Sequence, residues 1–330
     1  MYAGGRSGLT AAAKALDVAA MAVKSSTGEV VVLVVPADRD VEQMVGDIRF
    51  FLGALEGASA DQVDHAVLPF PSQEVDPYRG LAPHLSITSA RARALHALAT
   101  GQARVVVASA TALVPRVMPP AALTSLSLDL RQGVEVDMAH LAGILVDAGF
   151  TREDPVDEHG EFCIRGGVVD IFPAGDVLPA RIEFIGDTIE SIRRFNPTTQ
   201  RSVVSVDTLL VVPLSDLPLG FSALFFDFLT VARRPVFVVS EPDEVRERIQ
   251  KHLVQVSESY LQATAPVIAH SIAPGALGAA GTATLPKPED ILISWAEVER
   301  HLSAAMRLEE LALEESGLEE PGLDGLDGRA

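Results

Sequence analysis

Two short stretches, far apart in the chain, carry residue types that could bind and hydrolyse a nucleotide. Residues 8–15 (GLTAAAKA) begin with Gly8 and have the length and the lysine, Lys14, of the phosphate-binding pattern G-x-x-x-x-G-K-[ST]. Residues 236–241 (VFVVSE) form an apolar run that ends in Glu241, as a strand does before a metal-orienting Asp-Glu pair. The chemistry to consider first is therefore phosphoryl transfer.

Both stretches lack residues that this chemistry needs. A phosphate loop needs two glycines, whose backbone N–H groups surround the anion, and a hydroxyl that holds Mg²⁺. Ala13 replaces the second glycine, Ala15 replaces the hydroxyl residue, and Ser240 replaces the metal-orienting Asp. Few residues precede the loop, so the strand that should lead into it has little room. We interpret Lys14 as a surface lysine at a helix N-terminus, and we expect no catalytic residue, cofactor or metal in this chain.

Other catalytic patterns are weak. The eight histidines are scattered without metal-binding spacing, and we interpret His159 as a loop residue. Cys163 is the single cysteine, which excludes an intrachain disulfide and a cysteine-based zinc site. Because it lies among strand-like apolar residues, we interpret it as a small core residue. Aromatic residues make up only 5% of the chain, so a stacking platform for single-stranded nucleic acid is not expected.

Arg165 and Arg181 suit a different task, the binding of another protein. Arg165 precedes a Gly-Gly break between two predicted strands, and Arg181 begins the next strand. By the two-residue period of a strand, Glu183 and Ile185 lie on the same face as Arg181. A guanidinium offers a rigid fork of donors and a nearby aliphatic side chain offers apolar area, a combination typical of protein interfaces. The alternative interpretation is a solvated sheet face held by ion pairs.

Composition narrows the possible partners and the location. The chain has 26 basic and 45 acidic residues, and its net charge of −19 disfavours a polyanion such as nucleic acid as the main partner. No uninterrupted apolar run reaches the roughly 18 residues that span a bilayer. The N-terminal residues do not have the pattern of a signal peptide. We therefore expect a cytoplasmic protein with no membrane partner.

The secondary-structure elements that must position these residues follow two different patterns along the chain. The first third alternates helices with apolar strands, at residues 30–35 and 104–109, which predicts right-handed crossovers and a parallel sheet. The middle of the chain changes to short strands that follow one another too closely for a parallel return, with a helix at residues 138–148. The last third again alternates strands with helices, and it ends in a helix predicted at residues 295–313.

The predicted fold class is α/β, a split parallel-sheet domain with an inserted antiparallel α+β domain. The predicted boundaries are 1–125 for the first part of the α/β domain, 126–213 for the inserted domain, 214–313 for the second part and 314–330 for an acidic tail or linker. Within the inserted domain, residues 203–212 are predicted to form one strand. The tail offers few apolar groups to offset chain entropy, so we expect it to be disordered.

Several stretches resemble one family of bacterial DNA-repair proteins. RGGVVDIFP at residues 165–173 and RIEFIGDTIESIRRFNPTTQRS at 181–202 resemble the second domain of the transcription-repair coupling factors (Mfd), which the excision-repair protein UvrB shares in weaker form. LPFPSQEVDPYRGLAPH at 68–84 and ILISWAEVERHLSAAMRLEELAL at 291–313 resemble the same family. The likeness covers roughly residues 8–313. It implies an N-terminal UvrB-like module, in which a degenerate, helicase-like α/β domain carries the inserted domain.

The resemblance also implies a partner and its contacts. In this family the inserted domain binds UvrA, the damage-recognition ATPase, through two arginines and a nearby hydrophobic residue, which match Arg165, Arg181 and Ile185. That hydrophobic position is usually aromatic, so Ile185 is a departure that loses ring contacts. ATP and Mg²⁺ are implied for the full-length family only, because its N-terminal module has lost its nucleotide chemistry. RNA polymerase and DNA are expected to bind only through domains that this sequence lacks.

The predicted function is that of a UvrA-recruiting module in transcription-coupled nucleotide excision repair, without enzymatic activity of its own, in a truncated product or a partial gene. One alternative is the N-terminal part of a complete ATP-dependent DNA translocase that displaces stalled RNA polymerase. A second alternative is a UvrB-like module that binds damaged DNA. An intact phosphate loop further along the gene would favour the first alternative, and steeply salt-dependent binding to damaged duplex would favour the second.

Overall fold

The computed structural model describes residues 4–25, 28–215, 223–230, 234–265 and 285–310. Its strands are β1 (Gly4–Arg6), β2 (Glu29–Val35), β3 (Val67–Phe70), β4 (Val105–Ser109), β5 (Leu128–Arg131), β6 (Thr151–Arg152), β7 (Glu161–Arg165), β8 (Val168–Ile171), β9 (Ala180–Ile185), β10 (Thr188–Phe195), β11 (Ser202–Val206), β12 (Thr208–Val211), β13 (Arg234–Ser240) and β14 (Met306–Leu308). Its α-helices are α1 (Ala11–Lys24), α2 (Asp38–Glu56), α3 (Ala60–Ala66), α4 (Leu85–Ala99), α5 (Pro120–Ser125), α6 (Met138–Asp147), α7 (Pro242–Thr264), α8 (Pro288–Ile291) and α9 (Trp295–Leu302). Short 3₁₀ helices span Ala110–Leu113 and Phe225–Thr230.

One six-stranded sheet is parallel throughout, in the order β1-β14-β13-β2-β4-β3. Its strands β2 and β4 are apolar runs buried on both faces, which confirms the prediction from the sequence. On one face, Val32 packs in a core with α4, α7 and α9. On the other face, Val31 and Leu33 pack in a second core with α1 and α2. The sheet therefore lies between two layers of helices.

A second six-stranded sheet has the order β11-β10-β9-β8-β7-β6, and only the pairing of β6 with β7 is parallel. β5 and β12 form a separate two-stranded antiparallel sheet. Leu141 and Leu145 of α6 pack in one core with inward side chains of both sheets, among them Leu130 and Ile182. All of these strands lie between β4 and β13 in the chain, so the antiparallel part interrupts the parallel sheet in sequence.

Three predictions about elements are wrong, and in each case a distant partner decides the structure. Residues 203–212 form two strands rather than one, because β11 pairs with β10 whereas β12 pairs with β5. The helix predicted at residues 295–313 ends at Leu302. The residues that follow it form β14 instead, because they pair with β1 on one side and with β13 on the other. The phosphate-like loop, for which little room was expected upstream, does have a preceding strand, β1.

The predicted acidic tail at residues 314–330 lies outside the residues that the structure describes. Within the described ranges, no helix combines the length and the apolar character that a membrane span requires.

Candidate functional site

Strands β7 to β10 bring the predicted docking residues onto one face of the antiparallel sheet. The register places Asp170 of β8 opposite Arg181 of β9, and Arg181 opposite Arg193 of β10. Because side chains alternate along a strand, neighbours of these residues in sequence, such as Val169, Ile182 and Ile192, point into the core instead. We call the opposite side the outer face, and it carries Arg165, Asp170, Arg181, Glu183, Ile185 and Arg193. The prediction that Arg181, Glu183 and Ile185 share a face is confirmed.

The Gly166-Gly167 turn connects β7 to β8 and holds the end of this hairpin against β9. Gly166 has a φ of 59°, which side chains other than glycine rarely adopt. The backbone N–H of Phe184 donates to the carbonyl of Gly167 at 2.8 Å. A Cβ at Gly167 would lie 3.0 Å from the carbonyl oxygen of Phe184, so a side chain there would push the hairpin away. The two glycines thus fix the position of Arg165 relative to β9.

Asp170 is the centre of the polar contacts on the outer face. Its side chain is 1% exposed, and both carboxylate oxygens accept from Arg181, at 2.7 Å from Nε and 2.8 Å from Nη2. Arg165 donates to Oδ2 of the same carboxylate from Nη2 at 2.6 Å. Its Nη1 donates to Asp154 at 2.7 Å. A buried carboxylate with two guanidinium partners satisfies the requirement that buried charge be paired and hydrogen-bonded.

The two arginines differ in how much they present to solvent. The side chain of Arg165 is 43% exposed, whereas that of Arg181 is 20% exposed. Arg181 also stacks on the buried ring of Phe195 at 4.6 Å and donates to Gln200 at 3.3 Å. Its hydrogen bonds to Asp170 raise the pKa of Arg181 above the ordinary arginine value, so it stays charged. The ion pairs of the alternative interpretation are therefore present on a face that is still partly open.

Ile185 and Arg193 extend the open part of the outer face beyond the two predicted arginines. Ile185 is 68% exposed at the end of β9. Arg193 is 40% exposed and donates to Glu183 from Nη2 at 2.9 Å. Glu183 also accepts from the hydroxyl of Ser191 at 2.9 Å. An exposed apolar side chain thus lies on the same face as two partly exposed guanidinium groups.

The phosphate-like loop and the strand with the altered acidic motif meet in the structure. Lys14 is 1% exposed, so its interpretation as a surface lysine is wrong. Its Nζ forms a hydrogen-bonded ion pair with Oε1 of Glu241 and lies 3.0 Å from Oγ of Ser240. Glu310 lies 3.6 Å from the same Nζ, and its backbone N–H donates to Oε1 of Glu241 at 2.8 Å. We call Lys14, Ser240, Glu241 and Glu310 the lysine cluster.

The lysine cluster lies where the ends of three parallel strands meet. β1 leads into the loop before α1, β13 ends at Ser240, and β14 ends just before Glu310. Glu241 has a φ of 48°, a strained value for a residue with a side chain, and it occupies the N-cap position of α7 without a capping hydrogen bond from its side chain. The carboxylates of Glu241 and Glu310 lie beside the Lys14 amine and balance its charge within the protein.

Metal and thiol chemistry find little support in the described part of the chain. No group of three or more His, Cys, Asp or Glu residues there has the arrangement of a metal site. Cys163 is buried in a small cluster with Val156, Phe172 and Phe195, which confirms its interpretation as a core residue. Burial raises the pKa of its thiol, which disfavours the reactive thiolate.

Asp176 connects the antiparallel part to the parallel-sheet part, a role that the sequence did not indicate. It lies between β8 and β9 and accepts from Nη2 of Arg93 in α4 at 2.5 Å and from Nη1 of Arg194 in β10 at 2.6 Å. The preceding Gly175 lies so close to α4 that a Cβ would be 2.5 Å from Oγ of Ser89. His159, interpreted as a loop residue, has Nε2 at 2.9 Å from the backbone oxygen of Asp176.

Comparison with known proteins places the antiparallel part in a known family. Residues 128–217 match the family model described as the UvrB interaction domain. The transcription-repair-coupling factor of Escherichia coli K12 is 30% identical over 199 residues, which are 60% of this chain and 17% of that protein. The factor of Myxococcus xanthus is 34% identical over 177 residues, 53% of this chain and 14% of its own length. The factor of Mycobacterium tuberculosis is 27% identical over 245 residues, 72% of this chain and 19% of its own length.

The chain is a relative of the transcription-repair-coupling factors. Because the aligned regions make up 17%, 14% and 19% of these three proteins, the chain spans less than a fifth of their length. The whole outer face lies within the segment that matches the UvrB interaction domain, whereas the lysine cluster lies outside it. In this relative of the transcription-repair-coupling factors, the two sets of residues singled out from the sequence are therefore separate in both sequence and fold.

Sequence reasoning missed Asp170, Arg193 and Asp176. Asp170 is the polar residue in the apolar run VVDIF. Arg165 and Val168 flank the Gly-Gly turn and so face each other, and Asp170, two residues after Val168, therefore lies on the same face as Arg165. Arg193 follows Ser191 on the same face of its strand, which the two-residue period also indicates. Asp176 stands in a loop, and nothing in its local sequence points to Arg93, more than eighty residues away.

Proposed function

We propose that this chain recruits UvrA to transcription-coupled nucleotide excision repair, and that the outer face is the surface that binds it. The observation that carries the proposal is that Arg165 and Ile185 are both exposed on one face of a segment matching the UvrB interaction domain. A guanidinium and an apolar side chain on one rigid sheet supply orientation and burial together. The alternative of a wholly structural ion-pair face does not account for the exposure of Ile185.

Charge also supports a protein partner. The chain as a whole carries a net charge of −19, which repels DNA at a distance. Arg165 and Arg193 form a local exception on the outer face, and such exceptions orient a partner of complementary charge as it approaches. The partner surface is therefore expected to present carboxylates.

Arg165→Ala tests the proposed surface. We expect the affinity of the chain for purified UvrA to fall by about tenfold or more, because a desolvated, hydrogen-bonded guanidinium at the centre of an interface contributes strongly. Biolayer interferometry with immobilised chain measures it. Arg131→Ala is the matched control, since Arg131 is exposed and paired with Asp129 but belongs to the two-stranded sheet. Equal affinities for wild type and Arg165→Ala would contradict the proposed surface.

Ile185→Phe tests the same surface through an expected gain in affinity for UvrA. A ring at this exposed position adds apolar area and aromatic contacts, which are worth about 0.5–1.5 kcal/mol, so UvrA should bind about two- to tenfold more tightly. Ile185→Ala should weaken binding in the same assay. Because Ile185 is exposed and contributes little to the core, neither change should shift the melting temperature much. If both variants bind like wild type, Ile185 lies outside the interface.

The parallel-sheet part is proposed to be a helicase-like domain that no longer uses nucleotide. The support is the position of Lys14: it lies in the first turn of α1, where the phosphate-binding pattern would have its lysine, but its amine is paired with Glu241 and Glu310. ATP-driven translocation, which the resemblance implies for the full-length family, would then depend on residues other than these. We expect 5 mM Mg·ATP to leave the melting temperature of the chain unchanged, measured by differential scanning fluorimetry. A rise that saturates with ATP concentration would contradict the loss of nucleotide binding.

A further inference from the structure

We propose that Arg181 and Asp170 position Arg165, and that Arg165, Arg193 and Ile185 make the contacts with the partner. This inference rests on the proposed function and divides the labour among the residues of the outer face. It assigns Arg181 a different task from the one that the family resemblance implies, and it adds Arg193 as a contact and Asp170 as a positioning residue.

The hydrogen-bond donors of Arg181 are already engaged by acceptors within the chain. Nε and Nη2 donate to the two oxygens of Asp170, and Nη1 and Nη2 donate to the backbone and side-chain oxygens of Gln200. One face of the guanidinium stacks on Phe195. A guanidinium has five N–H donors, and the bonds above engage all three of its nitrogens. With a fifth of its side chain exposed, Arg181 has little left to offer a partner.

Arg165 is in the opposite situation. Nη2 donates to Asp170 and Nη1 donates to Asp154, which hold the guanidinium in one orientation from two sides. Its further N–H donors remain available, and more than two-fifths of its side chain is exposed. A pre-oriented guanidinium of this kind suits a carboxylate on the partner, because less side-chain entropy is lost when the second ion pair forms.

Asp170 connects the two arginines. It is buried, and its Oδ2 accepts from both Arg165 and Arg181. Arg181 keeps this carboxylate fixed by its two parallel hydrogen bonds, and the fixed carboxylate in turn fixes Arg165. Removing either Arg181 or Asp170 should therefore release Arg165 rather than remove a contact.

Arg193 is not part of this chain of contacts. It lies directly opposite Arg181 in the register, but its ion pair is with Glu183 and its side chain is 40% exposed. Ile185 lies on β9, between the strands that carry Arg193 and Arg165, and this order suits a partner surface with two acidic side chains around an apolar one.

A double-mutant cycle distinguishes positioning from contact. Binding of purified UvrA is measured for wild type, Arg165→Ala, Arg181→Gln and the double variant. If Arg181 acts through Arg165, Arg181→Gln should weaken binding about tenfold in the wild-type background and less than about twofold in the Arg165→Ala background. The same tenfold loss in both backgrounds would make Arg181 a direct contact and overturn the assignment.

Two further variants keep the test decisive if Arg181→Gln impairs folding. Asp170→Asn preserves the shape of the buried side chain, and it should weaken binding in the wild-type background but be silent in the Arg165→Ala background. Arg193→Ala, at an exposed site, should weaken binding by the same factor in both backgrounds, since its contact is independent. Near-UV circular dichroism checks the fold of each variant. A silent Arg193→Ala, or an Asp170→Asn whose loss adds to that of Arg165→Ala, would overturn the division of labour.

The result that would contradict the proposed function differs from the result that would contradict only this inference. If the wild-type chain does not bind UvrA at all, the proposed function and this inference fall together. If the wild type binds and the losses simply add, the proposed function stands and only the assignment of Arg181 and Asp170 is wrong.

Discussion

Replacing Glu241 with Gln should lower the free energy of unfolding by about 3 kcal/mol, because it leaves the buried amine of Lys14 without its main counter-charge. Lys14 is almost completely buried, and Glu310, the other carboxylate of the lysine cluster, is farther away at 3.6 Å and largely exposed. Gln keeps the size of the side chain and the strained backbone unchanged, so the effect isolates the charge. Urea unfolding followed by far-UV circular dichroism measures it.

The second half of this experiment is a rescue. Lys14→Met in the Glu241→Gln background removes the uncompensated charge and keeps an unbranched side chain of similar length, so at least half of the lost stability should return. Glu309→Gln is the matched control, since Glu309 is a partly exposed neighbour whose ion pair with Arg307 spans 3.7 Å, and it should cost less than about 0.5 kcal/mol. A Glu241→Gln variant no less stable than this control would show that the lysine cluster contributes nothing.

Asp176→Asn should destabilise the contact between the two parts of the protein by about 2 kcal/mol. Asp176 is mostly buried between Arg93 of α4 and Arg194 of β10, and an amide can accept from these two guanidinium groups only through its single oxygen. The antiparallel part has its own core around α6, so the loss should appear as two separate unfolding transitions, whereas we expect a single transition for the wild type. Differential scanning calorimetry measures the number of transitions.

Asp129→Asn is the control for this substitution. Asp129 also pairs with an arginine, Arg131, but both are exposed on the same strand, so the change should stay within about 0.5 kcal/mol and preserve a single transition. If Asp176→Asn unfolds in one transition at the wild-type temperature, Asp176 does not couple the two parts.

Local patterns were enough to predict the parts of the fold that depend on neighbouring residues. The apolar runs at β2 and β4 indicated buried parallel strands, and the two-residue period placed Arg181, Glu183 and Ile185 on one face. The placement of Arg165 and Arg181 on short antiparallel strands was predicted for the same reason, since the Gly-Gly break and the short connections define those strands, whereas their role in docking stays a prediction.

What escaped prediction depends on partners far away in the chain. Residues 306–308 continue a helical composition, but pairing with β1 and β13 outweighs local preference. Lys14 resembles any lysine at the start of a surface helix until Ser240 and Glu241, more than two hundred residues later, are placed against it. The difference in exposure and internal pairing between Arg165 and Arg181 likewise depends on the strand register that brings Asp170 between them. No window of sequence contains these pairs.

The pairing of β1 with β14 joins residues 4–6 to residues 306–308, and this separation has a consequence for synthesis on the ribosome. Strands β7 to β11 pair with neighbours in sequence and can form soon after they emerge. The parallel sheet must wait for β13 and β14, and the roughly 100 residues from β11 to β14 take about 5–20 s to translate. Until then the edge of β2 that later receives β13 stays unpaired, with apolar side chains on both faces. The antiparallel part of the nascent chain should therefore be the first to become resistant to protease.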